Sequence, residues 1–134
     1  MKYFFDASSI YFLSGEGKTV LLVRNYTSSL ARYELGNVLL KERKIKKTIT
    51  EQQQRYLLSS IEKALGFMFD FDIKNNEQEI INAAIRYDLS FYDASYFYLA
   101  KKHNSVLVTE DVPLAQKVKL EIKVKSAKEL IDKA

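Results

Sequence analysis

Four acidic side chains, Asp6, Glu34, Asp93 and Asp111, have positions in the sequence that suit metal chemistry. Asp6 and Asp111 follow short apolar runs of the strand type, and Asp93 and Glu34 lie in helical patterns beside apolar residues. Carboxylates gathered without a cation would repel one another, by about 4 kcal/mol per pair at roughly 4 Å and a dielectric near 20. A hard divalent ion such as Mg²⁺ or Mn²⁺ removes that repulsion and activates water. The acids therefore predict a metal site if the fold brings them together.

Each of these acids also has an explanation that involves no chemistry. Asp6 and Asp111 can cap the helices that follow them, because aspartate is a favoured N-cap residue. Ser90 and Asp93 have the spacing of a capping box, and Glu34 can be a half-buried ion-pair partner. Spacing alone leaves capping and metal binding both open.

The size and composition of the chain predict one ordinary domain over residues 1–134. The net charge of +4 mildly favours an anionic partner such as nucleic acid. There is no cysteine, which suits a reducing compartment. The N-terminal segment is interrupted by Asp6 and does not read as a signal peptide, and no apolar stretch approaches the roughly 18 residues of a membrane helix. We expect a cytoplasmic protein with no membrane contact.

Short strands alternate with helices along the chain, and these elements must position the acids. Strands are predicted at 2–5, 67–72, 105–108 and 120–124, with a further strand candidate at 18–26 whose apolar run also fits a buried helix. Helices are predicted at 7–13, 28–44, 50–65, 76–87, 90–104, 111–118 and 126–134. This alternation predicts a three-layer α/β/α sandwich with a parallel sheet, and ligands bind beyond the carboxyl ends of such strands.

Finer details of the helices are also predicted. Capping boxes are expected at 50–53 and 126–129, from the residue types at those spacings. The helix at 76–87 is expected to bury an apolar stripe that includes Ile81 and Ile85.

Four segments of the chain resemble the acidic motifs of PIN-domain ribonucleases: FFDAS, RYELGNVL, LSFYDASYFYLAKK and VLVTEDVPL. They follow the family's order along nearly the whole chain, and they are most similar to the VapC-like toxins of bacterial and archaeal toxin–antitoxin pairs. The resemblance implies a five-stranded parallel sheet in the order 3-2-1-4-5. It also implies that Asp6, Glu34, Asp93 and Asp111 are the catalytic acids and ligate one or two Mg²⁺ or Mn²⁺ ions.

The same resemblance suggests supporting residues around the acids. Ser8 and Thr109 occupy positions where the family often has a hydroxyl near the site, and Asn37 falls where many members carry a polar residue. Glu110 is an extra acid beside Asp111, which either supports that residue or competes with it as a ligand. The spacing Thr-x-Asp favours Asp111.

Basic and aromatic residues have competing interpretations. Lys41, Arg43 and Lys44 either line an RNA path or form a solvated helix end, and the lysines near the last strand either line such a path or protect a sheet edge. We interpret Tyr92 and Tyr96 as core or interface residues rather than base-stacking surfaces.

The resemblance implies a metal-dependent endoribonuclease that cleaves single-stranded or structured RNA. A metal-activated water would attack the phosphorus in line and leave 5′-phosphate and 3′-hydroxyl ends. The implied partners are RNA, a small antitoxin and a second copy of the chain in a homodimer. Two alternatives stay open: a catalytically inactive PIN-like module that binds RNA or protein, and a housekeeping RNA-processing nuclease.

Overall fold

The computed structural model describes residues 1–133, which form a five-stranded parallel sheet with helices on both faces. The strands are β1 (Tyr3–Phe5), β2 (Tyr26–Ser28), β3 (Phe69–Phe71), β4 (Val106–Val108) and β5 (Val124–Lys125). The helices are α1 (Ala7–Gly15), α2 (Leu30–Leu40), α3 (Glu51–Gly66), α4 (Glu77–Tyr87), α5 (Phe91–Lys102), α6 (Val112–Val118) and α7 (Ala127–Lys133). In this part of the chain no helix is long and apolar enough to cross a membrane.

The strand order is β3-β2-β1-β4-β5, which confirms the predicted topology. In the central pair, Phe5 of β1 lies opposite Val108 of β4. Because both strands run in the same direction, the residues after them emerge at the same edge of the sheet. The backbone N–H of Asp6 donates to the carbonyl of Val108 at 3.2 Å, which fixes the chain that leaves β1 beside the chain that leaves β4.

The side chains of β1 alternate between the two faces of the sheet, as those of any strand do. Phe5 packs with α1, α2, α3 and α7 on one face, whereas Phe4 packs with α5 and α6 on the other. Both rings are fully buried, and burying a side chain of this size contributes about 1.5–3 kcal/mol. The two clusters confirm the three-layer sandwich.

The strand candidate at 18–26 is wrong in its position. Residues Thr19–Leu22 form a 3₁₀ helix, and β2 begins only at Tyr26. The apolar run is not buried on both sides, because Leu22 is fully buried but Val20 is 73% exposed. The Thr19–Leu22 segment, which buries Leu22, packs as a single helical turn against α3 and does not need a strand on either side.

Two other element boundaries differ from the prediction. The helix expected at 28–44 begins at Leu30, since Ser28 ends β2, and it continues past Leu40 as a π-helical turn over Lys41–Ile45. The strand expected at 120–124 shortens to Val124–Lys125, because backbone bonds to the carbonyl of Val118 close a turn over 118–122.

The helix details are partly as predicted. The capping boxes at 50–53 and 126–129 are both formed. The apolar stripe of α4 is narrower than predicted: Ile80 is buried, but Ile81 is 42% and Ile85 77% exposed. The last residue of the predicted C-terminal helix, 134, lies outside the described residues.

Candidate functional site

Asp6 lies directly after β1, where it caps α1 and is only 5% exposed. Its Oδ1 accepts hydrogen bonds from the backbone N–H of Ser9 at 2.9 Å and the hydroxyl of Ser8 at 2.7 Å. Its Oδ2 accepts from the hydroxyl of Thr109. Burial raises the pKa of Asp6, and these hydrogen bonds offset part of the rise because they favour the charged form. Asp6 is therefore both the predicted cap of α1 and a central residue of the site.

Ser8 and Thr109 join the ends of β1 and β4 across the site. The Ser8 oxygen accepts from the backbone N–H of Glu110 at 3.0 Å, and the Thr109 oxygen accepts from that of Asp111 at 3.0 Å. Each hydroxyl thus binds Asp6 and also fixes the chain that leads to Asp111. Both hydroxyls lie beside Asp6, and their role in the chemistry of the site stays a prediction.

Glu110 has a different role from the one its position beside Asp111 suggests. Its Oε1 accepts from the backbone N–H of Ala127, at the start of α7. A carboxylate at a helix N-terminus is favoured by the helix dipole. The side chain is therefore engaged in holding α7 against the strand end.

Glu34 lies half-buried on α2, and its Oε1 accepts a 2.7 Å hydrogen bond from the hydroxyl of Tyr96 on α5. Burial raises the pKa of Glu34; the bond from Tyr96 lowers it, and the negative charges of Asp6 and Asp93 raise it further. Burial, followed by the Glu34 charge, raises the pKa of the Tyr96 hydroxyl, so Tyr96 stays a neutral donor.

Tyr96 is a site residue that the sequence analysis treated as core or interface. It is 2% exposed, and its ring does pack in the core, edge-on to Phe4. One signal was available: Tyr96 is three residues after Asp93, and residues three apart share a helix face. A tyrosine on the face that carries a candidate ligand has its hydroxyl within reach of the same site.

Asp93 and Asp111 occupy the first turns of the helices that complete the site. Ser90 caps α5 by accepting from the backbone N–H of Asp93 at 3.1 Å, and Asp111 caps α6 by accepting from that of Leu114 at 3.1 Å. Burial raises the pKa of Asp93, and the charge of Asp111 raises it further, while Lys117 lowers it. Asp111 is therefore a helix cap as well as a neighbour of Asp93. The predicted capping box of Ser90 and Asp93 is half formed in the described residues, because the Ser90 hydroxyl makes its bond but the Asp93 carboxylate does not.

The four acids thus form one electrostatic group at the carboxyl edge of the sheet. The negative charges of Asp6 and Asp93 raise the pKa of Glu34, and the negative charge of Asp111 raises the pKa of Asp93. Within residues 1–133, however, no three acidic or histidine side chains are close enough to hold one metal ion. The donor chemistry fits a hard cation, because Oε2 of Glu34 and Oδ2 of Asp111 accept no hydrogen bond from the described residues. The carboxylates would have to move inward to share an ion.

The outer predicted residues lie farther along α2 and beyond it. Asn37, Lys41 and Lys44 are exposed. Arg43 donates to Gln54 at 2.7 Å and pairs with Glu51 at 3.1 Å, so its guanidinium is engaged with α3. This contact ties the π-helical turn to α3 and leaves Arg43 less available to a phosphate than the two lysines.

A model of the PIN domain matches residues 3–120. The chain belongs to the PIN-domain family. It is 32% identical to Exonuclease VapC9 of Pyrobaculum aerophilum over 130 residues, which cover 94% of this chain and 92% of the relative. Its fold is similar to the crystal structure of PAE2754 from Pyrobaculum aerophilum, with a TM-score of 0.81 at 27% identity, over 99% of this chain and 96% of that one. These matches confirm the resemblance to VapC-like PIN proteins.

Membership of the family also bears on the metal. PIN nucleases generally use divalent metal ions. The acids of this PIN domain stand where the carboxyl ends of β1 and β4 meet, which is the usual ligand position in a parallel α/β sheet.

Proposed function

We propose that this PIN domain is a Mg²⁺- or Mn²⁺-dependent endoribonuclease and the toxin of a VapBC-type pair. One observation carries the proposal: Asp6, Glu34, Asp93 and Asp111 come from four different elements at one edge of the sheet, where the charges of Asp6 and Asp93 raise the pKa of Glu34 and the charge of Asp111 raises the pKa of Asp93. Like charges held together without a structural partner are costly, and a divalent cation offsets that cost. The VapC name of the relative supports the toxin part of the proposal.

The residues of the chain would prepare the site in separate ways. Thr109 and Ser8 hold the Asp6 carboxylate in place through bonds that favour its charged form, and Tyr96 holds one oxygen of Glu34. Asp93 and Asp111 are anchored by helix first turns, which fixes their backbones. Bound among these carboxylates, one or two divalent ions would supply Lewis-acid stabilisation of the phosphodiester and an activated water.

Cleavage of RNA by the purified protein tests the proposal. We expect cutting with Mg²⁺ or Mn²⁺, none with EDTA, and none by Asp6→Asn with either metal. The matched control is Asp70→Asn, which makes the same change of charge at an exposed position on β3 and should cut normally. Equal activity of Asp6→Asn and the wild type would refute the assignment. A DNA of the same sequence, included in the assay, tests the preference for RNA.

The choice between endonuclease and exonuclease needs its own substrate, because the relative is named an exonuclease. We expect a covalently closed circular RNA to be opened, since an endonuclease needs no chain end. Degradation of the linear RNA alone would replace the endonuclease proposal with an exonuclease. Product ends should be 5′-phosphate and 3′-hydroxyl.

The alternative function is not enzymatic: a PIN-like module that binds RNA or protein without cleaving it. The wide spacing of the acids favours it, because no three of them in the described residues reach one ion as they stand. Calorimetric titration with Mn²⁺ discriminates the two: a nuclease binds the ion and Asp6→Asn binds it weakly, whereas an inactive module gives no heat in either protein. A housekeeping RNA-processing role would be distinguished from a toxin by the absence of an adjacent antitoxin gene.

The proposed protein partners are a small antitoxin and a second copy of the chain, both acting in the cytoplasm. The homodimer is supported by the exposed side chains of Ile81 and Ile85, which leave an apolar surface on α4. Light scattering of the purified protein would give the mass directly. Co-expression with an antitoxin encoded beside it should suppress cleavage.

A further inference from the structure

Two exposed tyrosines stand beside the acidic site. Tyr33 is 80% exposed and immediately precedes Glu34 on α2, and Tyr92 is 59% exposed and immediately precedes Asp93 on α5. Consecutive helical residues differ by 1.5 Å along the axis and about 100° around it. Each acid therefore faces the site while its tyrosine faces the adjoining surface.

Both tyrosines line a single cavity of about 210 Å³ between α2, α5 and the chain that follows β3. Its other walls are the aliphatic side chains of Leu30 and Ile73 and the ring of Phe91. Three serines complete the lining, of which Ser29 is exposed. Ser28 and Ser95 are buried, and their hydroxyls bond the backbone of Leu30 and Tyr92. The cavity therefore combines flat aromatic surface with the hydroxyl of Ser29.

The rings of Tyr33 and Tyr92 lie largely outside the packed core. Within residues 1–133 neither Tyr33 nor Tyr92 stacks on another aromatic ring, in contrast to Tyr96, which packs against Phe4. Of the two predicted places for Tyr92, the core is excluded because more than half of its surface meets solvent, while an interface stays a prediction. Exposed aromatic surface lining a cavity marks a binding site more often than chance exposure does.

We propose that this cavity binds one unstacked base of a single-stranded RNA, next to the phosphodiester held at the acids. The proposal rests on the nuclease function proposed above. A base is planar, has a π-face for Tyr33 and Tyr92 to stack on, and has edges that can hydrogen-bond the hydroxyl of Ser29. Continuity with the acidic group favours RNA over a protein side chain as occupant, since a nucleotide whose phosphate lies at Glu34 and Asp93 has its base beside these rings.

Binding of a labelled RNA tests the proposal without the need for turnover. The protein is the full chain carrying Asp6→Asn, and the probe is a fluorescein-labelled single-stranded RNA of about ten nucleotides of mixed sequence, in Mg²⁺. We expect Tyr33→Ala and Tyr92→Ala each to weaken binding by about 5- to 150-fold, the range for losing one base–aromatic stack. Tyr33→Phe and Tyr92→Phe keep the ring and should keep the affinity.

The matched control is Tyr56→Ala, which removes an equally exposed tyrosine that lines a different cavity on α3. It should bind the RNA as the parent protein does. Unchanged affinity in both cavity variants would overturn the proposal, and so would an equal loss in Tyr56→Ala. A fall in molecular mass of Tyr33→Ala or Tyr92→Ala by light scattering would also overturn it, because the rings would then belong to an interface between two copies.

The outcome separates this proposal from the nuclease function. If the wild type cuts RNA while the cavity variants bind normally, the cavity proposal alone fails. If no metal supports cutting but binding still depends on the two rings, the cavity stands and the catalytic function fails.

Discussion

At the residue scale, the acids of this PIN domain serve the fold and the site at once. Asp6 satisfies the backbone of α1 and is also the most buried acid of the group. In the sequence, Asp6 and Asp111 stood out because they follow strands, Asp93 because it opens a helix, and Glu34 because it borders an apolar helix face; the resemblance to PIN domains implied their metal-binding role. Tyr96 could not be assigned in the same way, because its partner Glu34 lies 62 residues away and meets it only through tertiary packing.

Tyr96→Phe isolates the contribution of that hydroxyl. The ring stays packed against Phe4, so the free energy of unfolding should fall by only about 1 kcal/mol, the value of one hydrogen bond. Because the bond from Tyr96 lowers the pKa of Glu34, its loss should raise that pKa further. We expect the acid limb of the pH profile of kcat/KM to move to higher pH, and an unmoved limb would contradict a role for Tyr96 in holding Glu34.

At the scale of elements, residue patterns predicted most of the helices and the resemblance to PIN domains implied the sheet order, whereas the errors in the strands have local causes. The helices have strong caps and periodic stripes, as at 50–65, whereas the strands are only two or three residues long. Such short strands carry too little pattern to be located alone. The misplaced strand at 18–26 shows this. Its apolar residues match the pattern of a strand, and only the tertiary structure reveals that Val20 faces solvent.

The first turn of α5 allows capping to be separated from chemistry. Ser90→Ala removes the cap and should cost about 1 kcal/mol of stability while cleavage of the folded protein continues. Asp93→Asn should leave stability nearly unchanged and abolish cleavage, because the Ser90 hydroxyl makes the cap and the Asp93 carboxylate is left for the metal ion. Chemical denaturation and cleavage rates of both variants check this, and full turnover by Asp93→Asn would restore the purely structural interpretation.

At the scale of the whole molecule, the acidic group makes the metal-free protein less stable than its core alone would allow. Burial raises the pKa values of Asp6, Glu34 and Asp93, so the folded state binds protons more tightly than the unfolded state does. Stability from these groups is therefore present at low pH and is lost as the pH rises through the raised values. A bound divalent cation would replace the protons at neutral pH.

Thermal unfolding measured with and without metal tests this balance. In EDTA, lowering the pH from neutral toward the raised pKa values should increase Tm, until general acid denaturation sets in. At neutral pH, Mg²⁺ or Mn²⁺ should instead increase Tm, by the equivalent of about 2.7 kcal/mol at a hundredfold excess over Kd.

The variants show where the ion binds. Asp6→Asn should be at least as stable as the wild type in EDTA, since it lacks one of the crowded charges, and it should gain little from metal. Asp70→Asn should gain as the wild type does. Equal gains in Asp6→Asn and Asp70→Asn would place the bound ion away from the four acids.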